Sequence, residues 1–398
     1  MAEDPASAER FCDPPPFSVE AQGHLLSFQP GGPERMAALL AMIDGAQERI
    51  KLAFYIFATD QSAARVRDAL TAAARRGVDV RIILDGFGSV ADHRFFAPTI
   101  EAGASYCRFM PRFTRRYLIR NHQKLVVADG KVAMLGGFNV EDSYFAPPHE
   151  TGWSDLGFTV EGPVVERIET WFDALESWAT NPRSQFRAIR HMAQHWDGGR
   201  PPVELLIGGP AMKLSNWARN VSDDLVEGSR LDMVMGYFSP PPQLQSRLHA
   251  IARHGEARFL FPARSDHRVP RLAARALYRK LLRARARIWE FTPCRLHTKL
   301  IVLDDAVYLG SANFDMRSLY LNLEIVLKIE DAALADRMRE FVDWYLRASL
   351  EVTPQVQKAR ATLWNRLRWR VSWFLVAVLD YTVNRRLNLE DDGAETNA

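Results

Sequence analysis

The sequence has few cysteines, and none of them are spaced to hold a metal ion. Only Cys12, Cys107 and Cys294 occur among 398 residues, and they lie far apart. Structural zinc sites usually use cysteines a few residues apart, and disulfide frameworks use even numbers of them. We therefore expect free thiols in a reducing compartment.

Long apolar runs and a strong net charge are also missing. No stretch reaches the roughly 20 apolar residues that a helix needs to cross a bilayer, and the nearest, VSWFLVAVLDYTV at 371–383, contains Asp380. The N-terminus lacks the basic start and apolar centre of a signal peptide, so we expect residues 1–20 to form a loose leader. A formal net charge of +3 gives no reason by itself to expect nucleic acid as a partner.

What the sequence does contain is an internal repeat. Residues 50–89 and 231–267 each read as an apolar strand, a helix that ends in two basic residues and a glycine, and a second strand. Such β-α-β units build mostly parallel sheets covered by helices. We predict an α/β fold with two similar α/β/α halves and mostly parallel sheets. The predicted divisions are a first half at 21–190, a linker at 191–202, a second half at 203–350 and a tail at 351–398.

Each half carries a copy of the same motif, in which a histidine and a lysine open a buried strand. On a strand, residues two apart face the same side, so each histidine projects with its lysine. An aspartate follows at a predicted turn, and a returning strand brings glycine or serine and an asparagine beside the starting pair. The first copy consists of His122, Lys124, Asp129, Gly136, Gly137 and Asn139, and the second of His297, Lys299, Asp304, Gly310, Ser311 and Asn313.

Together the two copies would form a positive pocket that suits a phosphodiester. The lysines would neutralise the non-bridging oxygens, and Asn139, Ser311, Asn313 and backbone N–H groups would donate hydrogen bonds to them. One neutral imidazole can attack phosphorus while the other protonates the leaving alkoxide. Because the lysines supply the charge that a metal would bring, we expect no catalytic metal and no cofactor.

A nucleophilic imidazole must also be oriented, usually by a carboxylate on its other nitrogen. Glu324 in the second half and Asp155 in the first are the candidates, and Glu150 lies near Asp155 as an alternative. We interpret Asp129 and Asp304 as turn or strand-end residues and Gly136, Gly137 and Gly310 as structural parts of the motif. Gly137 has no hydroxyl where the second copy has Ser311, so the halves are not chemically equal.

These residues resemble the paired HKD motifs of the phospholipase D superfamily, and the resemblance covers roughly residues 20–350. The segments RRGVDVRIILDGFGS and HTK…GSANFDMRS…NLE most resemble bacterial cardiolipin synthases. The resemblance implies a pseudo-twofold pair of halves with the active site at their interface, and a phosphohistidine intermediate. It also implies similarity to the shorter type of such synthases, without N-terminal membrane spans.

The tail carries a strong basic excess. Residues 358–386 hold seven basic residues and one acid, and helical spacing puts Trp364, Leu367, Val371, Phe374, Leu375 and Val378 on one face. A basic amphipathic helix with tryptophan at its edges suits an anionic membrane surface. The alternative is a terminal helix that packs on the protein's own core. The last residues, NLEDDGAETNA, read as a disordered acidic tail.

Three functions remain open from the sequence. The first is a phosphatidyltransferase that makes cardiolipin and glycerol from two molecules of phosphatidylglycerol. The second is a hydrolytic phospholipase D, or transfer to another alcohol, and the third is a nuclease or phosphodiesterase of the same fold. The basic excess lies in an apolar, tryptophan-bearing tail, which favours lipid. We expect the partners to be phosphatidylglycerol and an anionic membrane, without nucleic acid, at the cytoplasmic face of the bacterial inner membrane. The oligomeric state, and which histidine is the nucleophile, stay open.

Overall fold

The computed structural model describes residues 11–110, 119–181, 183, 186–265 and 268–380. Two large sheets and the helices packed on them make up the described chain. The strands are β1 (Phe17–Ala21), β2 (His24–Gln29), β3 (Arg49–Phe54), β4 (Asp79–Asp85), β5 (Ser105–Phe109), β6 (Lys124–Ala128), β7 (Val132–Gly136), β8 (Trp153–Ser154), β9 (Gly157–Glu161), β10 (Gly199–Arg200), β11 (Val203–Gly208), β12 (Arg230–Met235), β13 (Phe238–Ser239), β14 (Glu256–Arg264), β15 (Arg287–Leu296), β16 (Lys299–Leu303), β17 (Ala306–Gly310), β18 (Phe314–Asp315), β19 (Glu324–Glu330) and β20 (Ser349–Glu351).

The helices alternate with these strands in the first part of each half and follow the last strand of each half. A 3-10 turn lies at Pro148–Glu150 and a π-helical turn at Leu375–Asp380. The α-helices are α1 (Gly32–Gly45), α2 (Gln61–Arg75), α3 (Ala97–Glu101), α4 (Asp142–Phe145), α5 (Val164–Thr180), α6 (Phe186–Gln194), α7 (Asn216–Glu227), α8 (Pro242–His254), α9 (Arg268–Arg283), α10 (Met316–Tyr320), α11 (Ala332–Arg347), α12 (Pro354–Arg360) and α13 (Leu363–Phe374).

The two sheets have the same strand order. The first runs β1-β2-β9-β7-β6-β3-β4-β5, and the second contains β11-β19-β17-β16-β12-β14-β15. From β2 onward in the first sheet, every strand therefore has a counterpart at the same place in the second. The predicted α/β fold of two similar halves is confirmed.

The prediction of mostly parallel sheets was wrong. In the first sheet only β3-β4 and β4-β5 are parallel, and in the second the parallel pairs are β12-β14, β14-β15 and β15-β8. The β-α-β units account for most of those pairs. The histidine motif itself returns through a tight turn, and strands joined by a hairpin must be antiparallel.

The halves share one hydrophobic core. Residues of α5 such as Trp171 and Phe172 pack in the same cluster as Phe341 and Tyr345 of α11 and strands of both sheets. Two further clusters lie on the opposite faces of the sheets, one with α1 and α2 and the other with α7, α8 and α9. Each half is thus a helix-sheet-helix sandwich, and the inner layers of the two sandwiches merge.

Residues 11–20, the described part of the predicted leader, are packed on the body. The ring of Phe11 contacts that of Phe291 edge-on, with centroids 4.9 Å apart. The carboxylate of Asp13 accepts hydrogen bonds from Ser154 Oγ at 3.0 Å and from the Tyr345 hydroxyl at 3.1 Å. The loose leader is therefore wrong for this part, because apolar contacts and a strand at Phe17–Ala21 hold it. Residues 1–10 lie outside the described residues.

The predicted linker is mostly regular structure. The helix α6 runs through to Gln194 and buries Ile189 and Ala193, and β10 extends the second sheet next to β11. The buried residues of α6 are Phe186, Ile189 and Ala193, which stand three and four apart. This amphipathic pattern could have predicted the helix.

The tail forms two helices rather than the single helix that we predicted. The first ends at Arg360, and Thr362 caps the second by accepting a hydrogen bond from Asn365 N at 3.2 Å. The helix α13 packs on α9 through the side that carries Trp369 and Ser372, both of which are buried. Residues 381–398, including the predicted acidic tail, lie outside the described residues.

The predicted apolar face of the tail points away from the body. The exposed fraction is 69% for Trp364, 51% for Leu367, 48% for Val371 and 50% for Phe374. The helix therefore docks through one face and presents an apolar stripe on the other. No helix in the described part of the chain has the length and hydropathy that crossing a membrane requires.

Candidate active site

The turn between the two strands of each motif is held by its aspartate. Asp129 lies at a positive φ of 54° and Asp304 at 48°, which short polar side chains tolerate. The carboxylate of Asp129 accepts hydrogen bonds from the backbone N–H groups of 47–49, and that of Asp304 from Ser229 and Arg230. Both aspartates thus fasten their hairpin to the start of the neighbouring strand, away from the histidines.

Each histidine pairs with a carboxylate from the other half. His122 Nδ1 lies 3.0 Å from Glu324 Oε2, across 202 residues of sequence. His297 Nδ1 lies 2.8 Å from Asp155 Oδ2, across 142 residues. Both carboxylates are fully buried, whereas the alternative, Glu150, has a largely exposed side chain. Sequence reasoning found the four residues but not the exchange between halves.

Backbone hydrogen bonds between the halves produce this exchange. His122 N donates to Leu323 O and Leu323 N donates to Arg120 O, both at 2.9 Å. On the other side β8 pairs with the end of β15, and His297 N donates to Ser154 O at 2.8 Å. The residue before each carboxylate is therefore joined to the histidine strand of the opposite half.

The carboxylates determine which imidazole nitrogen faces the cavity. Burial alone would raise the pKa of Asp155, but the neighbouring His297 and Lys299 lower it to about 2. Burial opposes ionisation of Glu324 as well, and His122 and Lys124 nevertheless lower its pKa. An ionised carboxylate can only accept, so each Nδ1 carries the proton. Nε2 of each histidine is then left with its lone pair.

Both histidines are neutral at pH 7. Burial lowers the pKa of each to about 4, against the raising effect of its carboxylate. The ring of His297 is enclosed by Tyr144 and Trp153, with centroid distances of 5.4 and 5.3 Å. A neutral imidazole with a free Nε2 is the form that can attack phosphorus.

The two lysines lie beneath the histidines. Lys124 Nζ donates to His122 O at 2.5 Å, and Lys299 Nζ donates to His297 O. Both lysines are buried, and neither is among the residues that line the cavity. Burial lowers the pKa of Lys124 to about 7. Their positive charges therefore act on the site without direct contact with the cavity.

The predicted phosphate-binding residues divide into two groups. Asn139 and Asn313 line the cavity, and Asn313 Oδ1 has no hydrogen-bond partner among the described residues. Ser311 does not line it. Its hydroxyl donates to Glu324 Oε2 at 2.5 Å and accepts from Ile325 N at 3.1 Å. The expectation that Ser311 contacts phosphate is therefore corrected, because its only proton is used to hold Glu324.

Gly137 stands in the first motif where the second motif has Ser311, and a steric reason explains the glycine. A Cβ at Gly137 would lie 2.6 Å from Asp155 Oδ1 and 3.0 Å from Lys299 Cδ. The carboxylate of Asp155 therefore leaves no room for a side chain at position 137.

Both histidines open into one cavity of about 560 Å³. Two tyrosines flank the histidines, with ring centroids 4.9 Å apart for Tyr55 and His122 and 6.2 Å for Tyr237 and His297. Two arginines that sequence reasoning missed, Arg120 and Arg317, also line the cavity. Arg120 stands two residues before His122, and this proximity was the available signal.

A third arginine holds the loop that carries Asp155. Arg35 in α1 is fully buried, and its guanidinium donates to Asp155 O at 2.6 Å, Tyr144 O at 2.7 Å and Trp153 O at 3.1 Å. Its place at the start of a helix in GGPERM gave no sign of this role. It is a positioning residue for Asp155.

The mouth of the cavity has apolar side chains. Phe87 and Val269 line it and are exposed, and Arg120 lies over the Phe87 ring at 3.9 Å. Leu375 and Val376 of the tail also line the cavity. The exposed stripe of α13 therefore continues to the edge of the site.

The fold and the paired histidines define a protein of the phospholipase D type. The phosphatidylserine synthase of Haemophilus influenzae has a similar structure, with a TM-score of 0.70 over 94% of this chain and 99% of that one, at 14% identity. A family model described as cardiolipin synthase, PLD-like domain, matches residues 39–176 and 227–346. The chain belongs to this family.

Two bacterial cardiolipin synthases are similar to most of this chain. Cardiolipin synthase 1 of Bacillus anthracis is 30% identical over 78% of the chain and 64% of its own length. The major cardiolipin synthase of Bacillus subtilis is 29% identical over 87% of the chain and 74% of its own. The chain thus spans just under two thirds of the length of the first of these relatives.

Proposed function

We propose that this protein is a cardiolipin synthase, which transfers a phosphatidyl group from one phosphatidylglycerol to another and releases glycerol. The observation that carries the proposal is the pair of neutral histidines at one cavity, each oriented by a carboxylate of the opposite half. Its relatives in Bacillus anthracis and Bacillus subtilis carry the same name.

In the first step, Nε2 of one histidine attacks phosphorus of the donor lipid. The bond from phosphorus to the glycerol headgroup oxygen breaks, and the other histidine gives a proton to that oxygen. Its pKa is low in the free protein, but a phosphodiester anion beside the ring favours the charged form. Glycerol leaves, and the phosphatidyl group stays on the first histidine as a phosphohistidine.

The second step reverses the roles. The histidine that gave up its proton now takes one from a glycerol hydroxyl of the second phosphatidylglycerol. That oxygen attacks phosphorus, the bond from phosphorus to Nε2 breaks, and cardiolipin leaves. Lys124 and Lys299 stabilise the negative charge on the transferred phosphoryl oxygens, and Asn139 and Asn313 donate hydrogen bonds to them.

Arg120 and Arg317 favour an anionic acceptor over water. The acceptor brings a second phosphodiester that the histidines, lysines and asparagines do not neutralise. Both guanidinium groups line the same cavity and are suited to phosphate. A nuclease is disfavoured because the exposed side chains near the mouth are apolar.

We also propose that the protein works peripherally on the cytoplasmic face of the bacterial inner membrane. The apolar mouth and the exposed stripe of α13 would lie among the headgroups of an anionic bilayer. The free cysteines suit a reducing compartment.

The test is incubation of the purified protein with phosphatidylglycerol vesicles, with lipids and free glycerol measured by mass spectrometry. We expect cardiolipin and glycerol in equal amounts. Phosphatidic acid in place of cardiolipin would make the protein a hydrolase. Absence of both products under conditions where a known cardiolipin synthase is active would overturn the proposal.

A further inference from the structure

A second cavity lies beside the site, between α9 and the two tail helices. Its volume is about 830 Å³, larger than that of the site itself. We call it the basic cleft, after six exposed side chains that line it and take no part in the chemistry above. They are Arg279, Lys280, Arg283, Lys358, Arg366 and Arg370.

The charge of the basic cleft is not neutralised within the described chain. None of the six side chains forms an ion pair with a described carboxylate, and no aspartate or glutamate lines the cavity. The one other cation there, Arg275, is paired with Glu290. Six like charges around one cavity repel each other, so a bound anion would be stabilised by all of them.

The floor of the cleft is apolar. Leu277 and Leu282 of α9 and Trp369 and Trp373 of α13 line it. Leu277 and Trp369 are buried, whereas Leu282 and Trp373 are only partly buried and leave apolar surface to the cleft.

The same two helices connect the cleft to the site and to the membrane-facing stripe. The first residues of α9, at Val269 and Pro270, line the site cavity, whereas its last two turns line the cleft. Arg366 and Arg370 stand on the flank of α13, between the buried face with Trp369 and the exposed stripe. A lipid that enters the cleft could therefore leave its chain ends among the apolar side chains.

We propose that the basic cleft binds one molecule of anionic phospholipid, apart from the site of chemistry. The arginines and lysines would hold the phosphate, and the upper acyl chain would lie on the partly buried side chains of Leu282 and Trp373. The inference rests on the membrane contact suggested under the proposed function, but not on phosphatidyl transfer.

The apolar floor favours a phospholipid over a free phosphate. An inorganic anion would be held by the exposed basic side chains alone and would leave the apolar surface of Leu282 and Trp373 uncovered. A phospholipid covers them as well, and burial of apolar area adds binding free energy that salt does not screen.

The test counts lipids bound to the full chain by native mass spectrometry. The probe is dihexanoyl phosphatidylglycerol below its critical micelle concentration, in a His122→Ala/His297→Ala background that prevents turnover. The cleft variant adds Arg279→Glu and Arg283→Glu. The matched control adds Arg65→Glu and Arg75→Glu on α2, which are also exposed helical arginines and change the net charge equally.

We expect the cleft variant to bind one lipid fewer than its parent and the control to bind as many. Inorganic phosphate and dihexanoyl phosphatidylcholine should not occupy the cleft at the same concentration. Equal lipid binding by the cleft variant and its parent would overturn the inference, and so would equal occupancy by inorganic phosphate.

Failure of this inference can be told apart from failure of the proposed function. With both histidines intact, the cleft variant should still turn over dispersed short-chain phosphatidylglycerol at the rate of the unaltered protein. A lack of cardiolipin from the unaltered protein would contradict the proposed function alone, because lipid counting requires no turnover.

Discussion

At the scale of single residues, the two histidines are similar but not equivalent. Both have pKa values of about 4 because they are buried. The side chain of His122 is 12% exposed and that of His297 is 5% exposed. Glu324 accepts from Ser311 and Ser318 as well as from His122, whereas Asp155 accepts from Leu156 N and His297.

Replacement of either histidine by alanine should abolish transfer. One variant loses the nucleophile and the other the proton donor, and each loss should reduce the rate at least ~10²-fold. The measurement is cardiolipin formation from vesicles, together with a thermal melt that should change little. His254→Ala, at an exposed position in α8, is the matched control. Activity above about a hundredth of the unaltered protein in either variant would contradict the assignment.

The pH dependence should also reflect these groups. One histidine must be neutral to attack phosphorus and the other must be protonated to act as the acid, and both have pKa values of about 4. A rise in pH above 4 therefore depletes the proton donor, and above about 7 it also removes the charge of Lys124. We expect kcat/KM of the free protein to fall as pH rises above about 4, and to fall more steeply above pH 7.

The measurement uses dispersed short-chain phosphatidylglycerol at constant ionic strength, so that membrane binding does not contribute. A kcat/KM that rises as pH increases from 6 to 8 would show that a protonated Lys124 is not needed.

At the scale of elements, two short backbone connections and an arginine on α1 position the carboxylates of the site. The strand β8 and the bridge between Asn121 and Leu323 place each carboxylate against the opposite histidine. The guanidinium of Arg35 then fastens the Asp155 loop through three carbonyl groups. Hydrogen bonds from a charged donor contribute more than neutral ones, which suits a residue that must hold a loop in one conformation.

The helix α13 packs on the body through one face and exposes the other, so the proposed membrane contact can be removed without unfolding the tail. Leu367→Glu together with Val371→Glu changes only exposed positions. We expect this variant to keep its thermal stability and its turnover of dispersed lipid. It should no longer sediment with anionic vesicles, because the apolar contact of α13 with the bilayer is lost and two negative charges would face the membrane.

The matched control is Ala72→Glu with Val226→Glu, at exposed positions on α2 and α7, which changes the net charge by the same amount. If the stripe variant sediments as well as the unaltered protein does, the membrane contact lies elsewhere around the mouth. Removal of the whole tail is a poorer test, because it would also uncover the side of α9 that Trp369 covers.

At the scale of the whole molecule, the site exists only where the halves meet. Each half supplies one histidine, one lysine and the carboxylate for the other half's histidine, and a shared core joins them. The positive charge of the site is therefore assembled from both halves. This makes the protein a candidate for phosphoryl chemistry without a metal ion.

Metal independence is the corresponding prediction. Activity toward dispersed lipid should be unchanged within about two-fold in excess chelator, because Lys124 and Lys299 already carry the countercharge. Dispersed substrate is used so that divalent ions cannot act by changing the vesicles. Loss of activity in chelator and its recovery with a divalent ion would contradict the prediction.

The sequence by itself determined the features that depend on neighbours in the chain. The repeat, the paired histidine and lysine strands, the turns at Asp129 and Asp304 and the apolar stripe of the tail all follow from patterns a few residues long. Asp155 and Glu324 could be named because each precedes a strand at the same point of the repeat.

Only the tertiary structure decided which groups meet. The exchange of carboxylates joins residues 202 and 142 positions apart, and no local pattern carries information over that distance. The same holds for Arg35 on the Asp155 loop, for Ser311 on Glu324, and for the face of α13 that packs. These contacts result from the burial of two sheets against one shared core, whose apolar surface can be covered only when both halves come together.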